Sequence, residues 1–183
     1  MPAQPLFDIS GIDLSATVAD QERIAEVLPH RGDMLHIARI VWHDDTFDHG
    51  VAIKEVREDE FWVPGHIPGN PLLPGVLMIE SVAQLASWLY YQRVVARWFA
   101  GFIRIENTTF RGQVVPGDDL ILLCKCLKFN SKRFVCDTQG LVGDTIVFDS
   151  KVTGLAFPKL PEPVRTPLNS VERCRPPGST VPR

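Results

Sequence analysis

Little in this chain points toward nucleic acid, a membrane or a metal. Acidic residues outnumber basic ones, 22 against 19, and the formal net charge is −3. No basic excess is available to hold a phosphate backbone or an anionic bilayer. The opening MPAQPLFDISG has no basic stretch followed by an apolar run, so no signal peptide is expected. The most apolar window, residues 76–95, is interrupted by Glu80, Gln84, Gln92 and Arg93 and cannot serve as a membrane span. Cysteine is sparse, four in 183 residues, with no C-x-x-C pair and no histidine near them in sequence. Cys124 and Cys126 would share one strand face, where packed thiols are the expected reading rather than metal ligands. No cofactor and no metal are expected.

Proline is abundant and unevenly placed. The stretch WVPGHIPGNPLLPGV, residues 62–76, holds four prolines and three glycines. Neither helix nor strand tolerates that density, because proline lacks a donor and fixes φ while glycine leaves the chain unconstrained. A long stiff loop inside a compact domain is often functional, and this one carries His66, which exchanges a proton near neutral pH.

Around the loop the periodicities suggest one domain of class α+β. Residues 1–17 read as an irregular arm. Asp20 precedes a short amphipathic helix that Pro29 ends. Residues 36–43 and 49–56 read as two strands. A long helix opens at Pro74-Gly75 and is expected to run to about Phe99, with the small residues Ala83, Ala86 and Ser87 on one side. Four β runs follow, at residues 101–110, 119–129, 132–142 and 145–157, joined by Pro116-Gly117, Asn130-Ser131 and Gly143-Asp144. Meandering strands beside one long helix predict an antiparallel sheet with the helix on its concave face. From residue 158 the chain has seven prolines in 26 residues and reads as an extended or disordered tail.

Three residues near the helix start could act together. Glu80 lies among Leu77, Ile79 and Val82, where burial would favour the neutral carboxyl. Gln84, one turn on, could hold it by a hydrogen bond. Gly75 offers a free N–H at the positive end of the helix, suited to a developing oxyanion. With His66 these supply a base, an acid and an oxyanion donor, the parts needed to remove a proton beside a thioester carbonyl and expel a β-hydroxyl. Taken singly, each has a plainer reading. His66 could be a structural loop residue, Glu80 could face solvent or pair with Arg104 or Arg111, and Gly75 could simply begin the helix.

The run GHIPGNPLLPGVLMIESVAQ resembles the signature G-H-F-P-G-x-P-x-M-P-G-V-L-x-x-E-A-x-A-Q of the bacterial β-hydroxyacyl-acyl-carrier-protein dehydratases of fatty-acid synthesis. LPHR at residues 28–31 and FRGQVVPGD at residues 110–118 resemble two further motifs of that family, in the same order. The likeness covers about residues 24–157. It implies a hotdog fold, a curved antiparallel sheet wrapped around one long helix, assembled as a homodimer, with trimers of dimers also found. It implies that His66 of one subunit (base) and Glu80 of the other (acid) meet across the interface, with the Gly75 amide on the thioester carbonyl; Gln84, read above as a hold on Glu80, is also a candidate substrate-binding residue. The partner implied is acyl carrier protein with its phosphopantetheine-linked acyl chain, and the compartment is the cytoplasm. His30 matches a structural position and is assigned no catalytic part.

Departures from the pattern bear on specificity. Gly32-Asp33-Met34 stands where the family has Y-P-F, Ala38 replaces an aspartate, Ile67 replaces phenylalanine and Leu73 replaces methionine. A hotdog thioesterase, and a non-catalytic acyl-binding subunit, remain as rival readings. Lys125, Lys128, Lys132 and Arg133 form the densest basic cluster and read as a solvated hairpin face.

Overall fold

The computed structural model describes residues 4–95 and 98–158. The expected tail beyond Pro158, and Cys174 within it, lie outside the described residues. Seven strands and two helices follow in order: β1 (Ala19–Asp20), α1 (Gln21–Val27), β2 (Arg39–His43), β3 (His49–Glu55), α2 (Gly75–Arg93), β4 (Phe99–Phe110), β5 (Asp119–Asn130), β6 (Arg133–Val142) and β7 (Thr145–Phe157), with a 3-10 turn at Gly32–Met34. All pairings are antiparallel, in the sheet order β1-β2-β3-β5-β6-β7-β4. The α+β expectation holds, and α2 lies across β3, β5, β6 and β7.

Helix α1 begins where Asp20 caps it, its carboxylate accepting from the Arg23 N–H at 2.9 Å. Helix α2 ends six residues earlier than the sequence pattern suggests, at Arg93 rather than Phe99. Val94 is already extended (φ −116°, ψ 140°), and the next described strand takes up Phe99. β-Branched Val94 and Val95 favour that exit over another helical turn. Strand β2 likewise starts at Arg39, not His36, because the His36 side chain and backbone are engaged by α2.

Close approach of helix and sheet is set by glycines as well as by the small residues of α2. A Cβ on Gly50 of β3 would lie 2.8 Å from a methyl of Leu89, so the glycine gives α2 its seat. Beneath the helix the main core gathers Val82, Leu85, Leu89, Leu120, Leu122, Phe134 and Phe148. Cys124 and Cys136 are buried there and Cys126 is half-buried, all as free thiols. The hydrogen bond with Cys124, and then burial, push Cys136 well above the ordinary thiol range against an opposing bond with Cys126.

The opposite sheet face carries a second cluster, Val41, Val51, Ile53, Ile121, Leu123, Leu141 and Ile146. The N-terminal arm covers it. Leu6, Phe7, Ile9, Ile12 and Leu14 pack on this face, and the Leu6 N–H donates to Gln139 Oε1 at 3.0 Å. From Leu6 to Leu14 the arm is a structural layer on the sheet.

Candidate active site

The proline-rich loop is pinned at both ends and cross-linked by its own backbone in the middle, where the His66 N–H donates to Trp62 O at 2.7 Å and the Asn70 N–H to Ile67 O at 2.9 Å. Trp62 and Leu73 are buried. The Trp62 indole donates to Glu60 at 2.9 Å, and Glu60 also accepts two bonds from buried Lys54 and one from the Arg57 N–H. Burial would raise the Glu60 carboxyl, but those donors outweigh it and hold it below the usual range. At the other end the Leu73 N–H donates to Val114 O at 2.8 Å.

Between these pins the chain reverses. Ile67 sits in the left-handed region at φ 66° and Gly69 at φ 82°. For a β-branched residue that conformation is strained and needs the surrounding loop to impose it. The reversal carries the Leu72 carbonyl back to His66, whose Nδ1 lies 2.6 Å from it. A carbonyl only accepts, so Nδ1 carries the proton, and in the neutral ring Nε2 is the lone-pair nitrogen. The ring is exposed, with the basic nitrogen unengaged by that bond.

Glu80 lies on the second turn of α2. Gln84 Nε2 donates to its Oε1 at 2.8 Å, and His30 Nε2 approaches the same oxygen at 3.2 Å. The carboxyl was expected to be neutral; its direction is the reverse. Burial alone would raise it, but the hydrogen bonds from His30 and Gln84 and the nearby imidazoles outweigh burial and lower it. Arg104 and Arg111, the alternative partners, pair instead with Glu106 and Asp149.

Gln84 is 1% exposed, and protein groups occupy its amide. Its Nε2 donates to Met34 O as well as to Glu80, and its Oε1 accepts from the His36 N–H at 3.0 Å. The amide thus ties the 34–36 turn to Glu80.

Gly75 is the first residue of α2, after Pro74, which provides no side-chain cap. Its N–H has no acceptor within the helix by position, whereas the Leu77 and Met78 N–H groups both turn to Pro74 O. A Cβ here would lie 2.7 Å from two ring atoms of Phe110. A cavity of about 150 Å3 adjoins Glu80, walled by His30, Ala83, Ser87, Phe99 and Phe102.

Within the protomer no hydrogen bond or ion pair joins His66 to Glu80. Gln84 is hydrogen-bonded to Glu80 and Gly75 begins the same helix, while His66 is held separately by its loop. Sequence reasoning missed His30. It is 50 residues from Glu80, no spacing rule links them, and only the closure of α1 onto α2 brings the LPHR turn to the carboxylate. Arg31 shapes that turn, donating to Leu28 O at 2.7 Å and His30 O at 2.6 Å.

Residues 28–151 match the FabA-like domain model. The chain belongs to the FabA-like family. His30, His66, Gly75, Glu80 and Gln84 all fall inside the matched FabA-like region, whereas the arm lies outside it. Among curated relatives, the 3-hydroxyacyl-(acyl-carrier-protein) dehydratase FabZ of Lawsonia intracellularis is 33% identical over 139 residues, 72% of this chain and 88% of that protein. The bifunctional enzyme LpxC/FabZ of Porphyromonas gingivalis is 33% identical over 138 residues, and the match spans 29% of that longer protein. Among solved structures, the dehydratase heterocomplex ApeI:P from Xenorhabdus doucetiae superposes with a TM-score of 0.64 at 16% identity, covering 73% of this chain and 90% of that one. That likeness establishes the fold: this FabA-like protein is a hotdog protein. Among the described residues, no helix is long and apolar enough to cross a membrane.

Proposed function

We propose that the protein dehydrates (3R)-hydroxyacyl thioesters borne on acyl carrier protein to trans-2-enoyl thioesters, and catalyses the reverse hydration. The observation that carries this reading is the His66 ring, locked through Nδ1 onto Leu72 O with Nε2 left as a base. Two copies would complete the site. Strand β4 ends the sheet order, and its Phe102, Ile103 and Ile105 are 41–49% exposed. An open apolar edge of that kind suits pairing with the same strand of a second copy.

In the reaction, His66 Nε2 takes a proton from the carbon next to the thioester carbonyl. The Gly75 N–H stabilises the enolate oxygen. Protonated Glu80 gives its proton to the β-hydroxyl, the C–O bond breaks, and water leaves as the double bond forms. Gln84 holds Glu80 rather than touching substrate. In the hydration direction an ionised Glu80 draws a proton from water while protonated His66 returns one to carbon, so the lowered carboxyl is ready for hydration. For dehydration the carboxyl must be protonated, and covering by acyl chain and partner raises it toward that form.

The ionised Glu80 also favours a second reading, thioester hydrolysis, in which the same carboxylate aims water at the carbonyl. One assay separates them. With a crotonyl thioester, a dehydratase-hydratase loses the enoyl absorbance and yields the 3-hydroxyacyl thioester, whereas a thioesterase releases free thiol. Thiol release without hydration would overturn the dehydratase reading.

A further inference from the structure

A second cavity, of about 270 Å3 and apart from the one beside Glu80, is lined by Gln21, Asp33, His36, Lys54, Arg57 and Phe61, among others. His36 is 5% exposed, and its ring is the informative group. Nδ1 lies 3.1 Å from Ser81 Oγ, and the Ser81 hydroxyl donates its own proton to Leu77 O at 2.7 Å. The serine oxygen can then only accept, so Nδ1 is the protonated nitrogen. Burial, and then the Lys54 charge, push the ring below the ordinary histidine range and keep it neutral. Nε2 is therefore a lone-pair acceptor, buried and without a partner. Buried acceptors are rarely left so.

Lys54, one donor of the lining, is committed elsewhere. Lys54 Nζ is turned to both oxygens of Glu60 at 2.9 Å, and the remaining positions on Glu60 are filled by the Arg57 N–H and the Trp62 indole. A visitor must bring the donor. The same lining carries the exposed Arg57 guanidinium, whose Nε donates to Asp59 at 2.8 Å, and exposed Phe61 as an aromatic wall, while Gln21 Nε2 donates to the Leu35 and Ile37 carbonyls. An N–H for His36 and a carbonyl for Arg57 describe a secondary amide. The volume fits a short linear segment rather than a whole nucleotide cofactor.

We propose that this pocket binds a secondary amide, with the His36 Nε2 accepting its N–H and Arg57 meeting its carbonyl, and that the natural occupant is the pantetheine arm of the acyl thioester. The identity of the occupant rests on the proposed function. The pocket's preference for an amide does not.

The test uses full-length protein labelled with 15N-histidine and titrated with D-pantetheine. The His36 Nε2 resonance is expected to move saturably from the position of a free acceptor to that of a hydrogen-bonded one. Affinity is expected to fall about tenfold in His36→Leu and to weaken in Arg57→Gln. If His36→Leu fails to fold, the wild-type spectrum and the exposed Arg57 variant still decide. A His36 signal unmoved at saturation, or equal affinity in both variants, overturns the proposal. So does a nitrogen already hydrogen-bonded before ligand is added and insensitive to pantetheine, which means that water alone fills the cavity. Intact pantetheine binding with no hydration of crotonyl N-acetylcysteamine would overturn the proposed function and leave the amide site standing.

Discussion

His30 Nε2 stands 3.2 Å from Glu80 Oε1, the oxygen that Gln84 also holds. Two donors on one oxygen leave the other oxygen of the carboxylate for the proposed reaction. They also decide its protonation. Removing His30 takes away a hydrogen bond and an attractive partner of the carboxylate, so the Glu80 carboxyl should rise. Hydration of a crotonyl thioester needs Glu80 ionised. The acid limb of its pH–rate profile should therefore move to higher pH in His30→Asn, while the fold is retained. An acid limb that stays in place would reduce His30 to a packing residue. Linkage adds a stability signature of the same sign. A carboxyl lowered on folding contributes stability above its unfolded value and loses it as pH falls through the folded value, so wild type should lose more stability than His30→Asn on acidification through that window.

A site shared between subunits can be rebuilt from two dead halves. His66→Ala and Glu80→Gln should each lower turnover on the order of a hundred- to ten-thousand-fold, with melting temperatures close to wild type because neither change opens the core. Co-refolded in equal amounts, half of the dimers are mixed, and each mixed dimer has one of its two sites intact. About a quarter of wild-type activity should return. Absence of recovery, with mixed dimers verified by native mass spectrometry, would place both residues in one protomer's site or in none.

The sequence made the parts legible where chemistry is local. Proline and glycine density marked the loop, turn pairs marked the strand ends, and the spacing from Gly75 to Glu80 put a carboxyl one turn above a helix tip. What it hid was non-local. His30 reaches Glu80 through tertiary closure, and the neutral state expected for Glu80 followed from its apolar neighbours without the two donors that reverse it. The end of α2 was blurred because apolar and aromatic residues continue past Arg93 without a glycine or proline stop. The arm looked irregular because its apolar residues follow neither helical nor strand spacing, yet they match a sheet face that only the folded chain presents.

The arm therefore has a measurable task. Deleting residues 1–14 strips Leu6, Phe7, Ile9, Ile12 and Leu14 from the outer sheet face. Each is only partly buried, so the loss per side chain is smaller than the roughly 1.5–3 kcal/mol of full burial, but together they should lower the urea midpoint clearly and increase binding of an apolar dye. Since α2 lies on the other sheet face, turnover per folded molecule should persist below the transition. An unchanged midpoint would mean that the arm rests on the sheet without stabilising it.

Two glycines separate a site effect from a packing effect. In Gly75→Ala the new methyl would lie 2.7 Å from Phe110, whose ring is 48% exposed and can swing outward. Stability should change little, while turnover falls because the ring beside the Gly75 N–H has moved. Adding Phe110→Ala should restore part of the rate. In Gly140→Ala the methyl would lie 2.1 Å from Phe148, which is fully buried and has nowhere to go. That change should cost about 1–3 kcal/mol or more and leave turnover per folded molecule near wild type. The paired measurement is a urea midpoint and a crotonyl hydration rate for each variant. If Gly75→Ala lost stability and kept its rate, the helix tip would be a packing contact, and the oxyanion role assigned to its N–H would fall.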